Sequence, residues 1–243
     1  MKAIARWLAL LVLAFIALQL FFLLRIAAMT VLDPQSTTFQ RSEAWRIATE
    51  KDKLRWRQQW VPYDQISDNL KRAVIASEDG SFVNHDGVDW DALEKAWERN
   101  AKAEELAARR AQLAPTRARA PKIVGGSTIT QQLAKNLFLS GERTMLRKGQ
   151  EIVLTFAIEQ MLTKQRILEI YLNNVEWGEG VFGAEAAAQH YYRKGAAKLS
   201  PYEAARLAVM LPQPKRFEKM PGSGYIAGRA STIVARMRDA ELP

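Results

Sequence analysis

From Trp7 to Leu24 the chain runs WLALLVLAFIALQLFFLL, with Gln19 its one clearly polar side chain. Extended through Ile26-Ala27-Ala28-Met29 and broken only by Arg25, the run is long enough to cross a bilayer as a helix. Lys2 and Arg6 precede it, and with the α-amino group they favour an N-terminus in the cytoplasm. A cleaved signal peptide and a wholly buried soluble helix are the alternatives. The run is long for a signal peptide, and no small-x-small cleavage site follows it. The expectation is an uncleaved single-pass anchor in the cytoplasmic (inner) membrane. Residues 1–29 would be the cytoplasmic start and anchor, with the rest on the outer, periplasmic side.

The 243 residues suit an anchor and one domain with a full core. Lys and Arg number 35 against 26 Asp and Glu, a formal charge of +9, which points to an anionic partner. Nucleic acid, anionic lipid and a phosphate-bearing substrate all fit that charge, but an outward-facing domain argues against nucleic acid. The absence of cysteine excludes disulfides, thiol nucleophiles and thiolate metal sites. His85 and His190 are the only imidazoles, so a histidine-rich metal site is also excluded and no metal ligands are assigned.

Residues 30–60 form a polar connector rich in Arg, Gln and Trp, and the domain proper is expected over 61–243. Ile66, Leu70, Ala73, Val74 and Ser77 follow helical spacing up to Glu78. Asp89 or Asp91 caps the next helix. Residues 101–124 are basic and alanine-rich, and read as a mobile membrane-proximal segment or a helix that frays at Pro115. Ser127 is placed as the N-cap of a helix reaching about Leu139. Helices are expected over about 144–162 and 164–173. Gly178, Gly180 and Gly183 would make a flexible turn. Helices near 183–192, 200–211 and 225–240 complete a mainly α chain with at most a short hairpin. Pro201 sits behind Ser200 in a favoured first-turn position.

Three clusters carry chemistry-bearing side chains. In ASEDGSFVNHDGVDWDAL (76–93), Glu78 ends an apolar helical run. Partial burial there would raise its pKa and suit it to general acid or base work. A helix-ending loop with capping acids is the plainer alternative. In GGSTITQQLAKN (125–136), Ser127, Gln131 and Lys135 fall at i, i+4 and i+8, a polar face suited to a polyhydroxylated or phosphorylated ligand. In RTMLRKGQE (143–151), Arg143, Arg147 and Glu151 share a face and Lys148 lies one turn from Glu151. That pattern is either a salt-bridge ladder or a cationic cradle for phosphate beside a second carboxylate. Two carboxylates suggest glycosidic chemistry. The cations suggest that phosphate is the leaving group, and the anchor suggests a lipid-linked substrate.

The same residues resemble the peptidoglycan glycosyltransferases of family 51, the transglycosylase domain of class A penicillin-binding proteins. Glu78-Asp79-x-x-Phe82-x-x-His85-x-Gly87-x-Asp89 is similar to the first family motif, GGSTITQQLAKN to the second and Arg147-Lys148-x-x-Glu151 to the third. RILEIYLNN (166–174) and RLAVMLPQP (206–214) are similar to the fourth and fifth. The chain ends soon after the fifth motif and shows no Ser-x-x-Lys or Lys-Thr-Gly transpeptidase motif, so the resemblance is to the monofunctional form. Residues 101–124 depart from the pattern as an insertion or a long form of the segment that dips into the membrane.

The resemblance implies a lysozyme-like, two-lobed fold. It implies polymerisation of lipid II onto a growing lipid-linked glycan, forming β-1,4 linkages with inversion at MurNAc C1 and release of undecaprenyl diphosphate. Glu78 would be the general base, with Glu151 as second carboxylate, orienting groups around the diphosphate together with Lys148. Lys135, Arg143 and Arg147 would neutralise the diphosphate. Ser127, Gln131, Gln132 and Asn136 would bind phosphate and sugar oxygens, and Asp79, Phe82 and His85 would shape the Glu78 loop. No cofactor is required, though Mg or Mn assisting the diphosphate stays open. The implied partners are the membrane, the lipid substrates and proteins of cell-wall synthesis or division. Two rivals remain at this stage. A lytic transglycosylase would have no diphosphate to neutralise, and a silent membrane-anchored scaffold would have no need of both Glu78 and Glu151.

Overall fold

The computed structural model describes residues 2–51, 55–113, 125–142 and 144–243. The helix α1 (Lys2–Ala28) is uninterrupted, and its apolar side chains from Ile4 to Leu24 are mostly exposed. It is long and apolar enough to cross a membrane, and none of its most apolar stretch is buried in the protein. Among the described residues, its C-terminal third, from Gln19 on, docks on the rest of the chain. Ile26 and Met29 enter the core, and Phe22 meets Phe138 edge-on at 5.4 Å. Arg166 Nε donates to the Met29 carbonyl at 2.8 Å. Gln19 and Gln150 exchange amide hydrogen bonds of 3.3 and 2.9 Å, which gives the one polar side chain of the apolar run a partner.

The segment 30–60 is more than a connector. It contains α2 (Thr38–Lys51) and β1 (Arg57–Gln58). Thr37 and Gln40 cap each other through two reciprocal bonds, and the Gln40 amide reaches the Asn174 carbonyl at 3.2 Å. Both are fully buried, as is Ile47. This helix is therefore held by satisfied buried polar groups, which apolar periodicity does not reveal.

The core is built from α3 (Asp68–Glu78), α9 (Pro201–Met210) and α11 (Gly224–Arg236) on one side. On the other lie α5 (Ile129–Phe138), α6 (Met145–Met161) and α7 (Lys164–Asn174). Helix α3, with Leu70, Ala73 and Val74 buried, packs on α9, where Ala204, Ala205 and Ala208 are fully buried. Small side chains there let the two helix axes approach closely. Ile129, Leu133 and Leu137 bury one stripe of α5 at i, i+4 and i+8. The caps are local and legible: Ser67, Thr144, Thr163 and Ser200 each accept from a backbone N–H of the first turn. Pro201 follows Ser200, whose capping box is completed by Glu203.

For the alanine-rich segment the helical alternative holds, and the expectation of a flexible glycine turn is corrected. Helix α4 (Trp90–Leu113), capped by Asp89, carries the alanine-rich sequence in helical form as far as Leu113, while 114–124 lie outside the described residues. The glycines after 177 do not form a flexible turn. Gly178 ends β2 (Glu176–Gly178) of a β-hairpin, Gly180 sits in its tight turn to β3 (Val181–Phe182), and Gly183 is the N-cap of the helix that follows; the residues of both strands are buried. Strand β3 also pairs in parallel with β1, giving the order β1-β3-β2. Helices α8 (Ala184–Tyr192) and α10 (Pro214–Phe217) complete a mainly α protein.

Gly180 is fixed by this hairpin. Its φ is +72°, and a Cβ there would lie 1.9 Å from the Arg55 carbonyl oxygen. Gly180→Ala is expected to destabilise the domain by at least about 2 kcal/mol, read by denaturation in detergent. Unchanged stability would show that β1 is not held against the hairpin.

Candidate active site

Glu78 is the last residue of α3, and Asp79 is its C-cap. Asp79 is buried and divides its two oxygens between two elements. Oδ2 accepts from the Ile129 N–H at 2.9 Å, at the first turn of α5. Oδ1 lies 2.9 Å from His85 Nε2. His85 Nδ1 accepts from the Gly87 N–H at 3.1 Å, so Nε2 carries the proton given to Asp79. The Gly87 carbonyl in turn accepts from Thr128 Oγ1 at 2.6 Å. Lys164 Nζ donates to the His85 carbonyl and sits 4.7 Å from the centre of the buried Phe82 ring. Asp79, Phe82 and His85 thus shape the loop and tie it to α5.

Glu78 itself is half-buried beside a cavity of about 880 Å³ that also takes Arg216, Phe217, Tyr225 and Arg229. Its Oε2 accepts from Gln132 Nε2 at 3.1 Å, and Gln132 Oε1 accepts from the buried Tyr171 hydroxyl at 2.9 Å. Ser77 Oγ donates to Oε1 at 3.3 Å. Burial pushes the Glu78 carboxyl above its ordinary value, Asp79 adds to the push, and the Gln132 and Ser77 hydrogen bonds and the Arg229 charge oppose it. A carboxyl so placed is a proton acceptor with a raised affinity.

A second cavity, of about 380 Å³, is lined by Gln132, Lys135, Asn136, Arg147 and Glu176 among others. Pro212 lines both cavities, and the Gln132–Glu78 bond links them. The result is one groove with the Glu78 carboxyl toward one end, beside Arg216 and Arg229, and Lys135 and Arg147 toward the other.

Glu151 stands apart from both cavities. It is buried beneath Arg147, whose Nη1 it accepts at 2.8 Å, and beneath Lys148, which also pairs with it. Arg147 Nε is buried and has no hydrogen-bond partner among the described residues. Glu151 therefore fixes the cations rather than facing the groove. Ser127 is not the helix cap: it is exposed ahead of α5 and lines neither cavity. Thr128 caps, in a box with Gln131. Gln131 is buried and its Oε1 is committed to the Thr128 N–H at 3.1 Å. The structure thus brings Glu78, Gln132, Lys135, Asn136 and Arg147 to the groove, while Arg143 lies outside the described residues.

Arg229, Arg216 and Glu176 were not foreseen. Each lies outside the five motifs and reaches the groove only through tertiary packing. Glu176 is the most unusual of them. It is 6 % exposed, its Oε1 has no hydrogen-bond partner among the described residues, and its ion pair with Lys215 Nζ spans 3.6 Å. Burial pushes its carboxyl up to about 7.

A family model described as Transglycosylase matches residues 46–238. The chain belongs to the transglycosylase family. It is 52 % identical over 246 residues to the biosynthetic peptidoglycan transglycosylase of Burkholderia thailandensis, covering all of this chain and 90 % of the relative. It is 51 % identical to the protein of the same name in Burkholderia pseudomallei, with the same coverage. For that of Paraburkholderia xenovorans the identity is 49 % over 242 residues, covering 98 % and 94 %. Transglycosylase chemistry fits a groove that pairs one poised carboxyl with fixed cations.

A carboxyl whose folded pKa is raised keeps its proton where the unfolded chain has lost it. Stability is then highest below the unfolded value of about 4.3 and falls as pH rises toward the folded one. Relative to Glu176→Gln, the wild-type protein should lose roughly 3 kcal/mol between pH 4 and pH 8, measured by chemical denaturation in detergent. A pH-independent difference would mean that Glu176 has a full ionic partner.

Proposed function

We propose that this transglycosylase polymerises lipid II into the glycan strands of the cell wall. It is an enzyme, a peptidoglycan glycosyltransferase. The observation that carries the reading is the groove in which Glu78, with its raised proton affinity, lies one hydrogen bond from a cavity lined by Lys135 and Arg147. In this reading the acceptor is lipid II and the donor is the growing glycan on undecaprenyl diphosphate. Glu78 takes the proton of the acceptor 4-hydroxyl. That oxygen forms a bond to MurNAc C1 as the bond from C1 to the diphosphate oxygen breaks, with inversion. The electron pair leaves on the diphosphate, where Lys135 and Arg147 stabilise it. Lys148 and Glu151 hold Arg147 in register, and Asn136 and Gln132 offer hydrogen bonds to sugar or phosphate oxygens.

The membrane side of the reading rests on α1. A lipid-linked substrate needs its diphosphate to meet the protein at the bilayer surface. The Gln19–Gln150 contact brings α6, which carries Arg147, against the apolar helix. We take α1 as a single-pass anchor with its N-terminus in the cytoplasm and the catalytic domain outside. In this reading no cofactor is required, and a Mg or Mn ion that assists would do so on the diphosphate. Proteins of cell-wall synthesis or division are further partners in this reading.

The test is polymerisation of labelled lipid II by the full-length protein in detergent. Wild type is expected to make long glycan, and Glu78→Gln, folded as wild type, at least about 1,000-fold less. Near-wild-type turnover by the variant would remove Glu78 as the base, and shortening of finished glycan would instead indicate a lytic enzyme. Because the base must be ionised, activity should fall as pH drops through the raised Glu78 value. Gln132→Leu removes an interaction that holds that value down and should move the acid limb to higher pH in a pH–rate profile. A limb that moves down or stays would contradict the assignment.

A further inference from the structure

Glu176 begins β2, two residues beyond the end of α7 and outside the five motifs. Its neighbours give it little. Lys215 of α10 makes a long ion pair with Oε1, 3.6 Å and beyond hydrogen-bond reach, and is itself engaged by Glu43 of α2. Arg46 of α2 is paired with Glu43, Glu50 and Glu179. Glu176 Oε1 is thus a buried carboxylate oxygen without a hydrogen bond, on the wall of the cavity that holds Lys135, Asn136 and Arg147. Leaving such an oxygen unsatisfied is costly, and a ligand N–H or O–H would remove that cost.

A neutral hydrogen-bond donor fits this oxygen better than a phosphate, which the carboxylate repels whenever it is ionised. The uncharged part of the donor next to its diphosphate offers such a group. We propose that Glu176 Oε1 accepts a hydrogen bond from a hydroxyl or amide N–H of the sugar that carries the diphosphate, and so helps select the donor sugar. This rests on the reading of the Lys135–Arg147 cavity as the diphosphate site. The carboxylate and the cations then divide one substrate between them: the cations take the leaving group, and Glu176 takes the sugar that is transferred.

The experiment uses full-length protein in detergent, with natural lipid II as acceptor. The donor is a lipid-diphosphate disaccharide lacking its terminal 4-hydroxyl, so that it can act only as donor. It is compared with two analogues altered in the sugar next to the diphosphate, one without the 6-hydroxyl and one with an N-methylated acetamide. For wild type, one of the two changes should cost about 10- to 100-fold in kcat/KM. Which one does so identifies the group as hydroxyl or amide. In Glu176→Ala, the unmodified donor should already show that loss and the analogue no further loss. Glu176→Gln keeps shape and a neutral acceptor and should show about a tenth to a third of wild-type kcat/KM, which guards against misfolding of the alanine variant.

Equal sensitivity of wild type and both variants to both analogues would overturn the inference, as would variants with wild-type kcat/KM or with a lowered melting temperature as their only change. If wild type transfers no donor sugar at all, the glycosyltransferase reading fails and this inference falls with it. Transfer by wild type, with Glu78→Gln inactive and no Glu176 coupling, would overturn the inference alone.

Discussion

Asp79 is the joint on which the site depends. One carboxylate holds the first turn of α5 through Ile129 and holds the His85 loop through the imidazole. Those two bonds set the end of α3, which carries Glu78, against the start of α5, which carries Gln132, Lys135 and Asn136. Carboxylates accept strongly at helix N-termini because the free N–H groups there carry partial positive charge. The Gly87–Thr128 bond and the Lys164 contact to the His85 carbonyl reinforce the same junction. The crowding of acidic residues in a basic chain follows from this: Asp79 joins helices, Asp89 caps α4, and only Glu78 faces the groove.

Three carboxylates in or near the groove have been given different environments. Glu78 is half-buried, accepts two hydrogen bonds and keeps a raised proton affinity. Glu151 is buried under two cations and serves to hold them. Glu176 is buried with one oxygen unsatisfied. In the proposed reaction these settings suit a base, a charge anchor and a hydrogen-bond acceptor for the sugar, since environment decides what a carboxyl can do.

Much of this was legible in the sequence where the signal is local. The apolar run predicted α1, Thr144 and Ser200 marked helix starts, and the apolar spacing after Ile66 led to Glu78 at a helix end. The motif resemblance pointed to the residues that line the groove. What escaped is tertiary. Helix α2 rests on the buried pair Thr37 and Gln40, polar residues that mimic a solvent-facing stretch. Gly180 looked flexible because its constraint, the Arg55 carbonyl, is remote in sequence. The capping error was avoidable: Thr128-x-x-Gln131 is a capping box and Ser127-x-x-Thr130 is not. That box also removes Gln131 from the polar face on which helical spacing alone had placed it. Glu176, Arg216 and Arg229 have no local signature, because only packing of the hairpin, α10 and α11 brings them to the groove.

Whether base and leaving-group site share one groove depends on where the diphosphate sits relative to Glu78. The most direct measurement is a structure of the full-length protein with undecaprenyl diphosphate bound. Its phosphates should lie within hydrogen-bond distance of Lys135 and Arg147, in the cavity joined to Glu78 through Gln132. Phosphates bound only beyond that cavity, with Lys135 and Arg147 untouched, would contradict the assignment of base and leaving-group site to one groove.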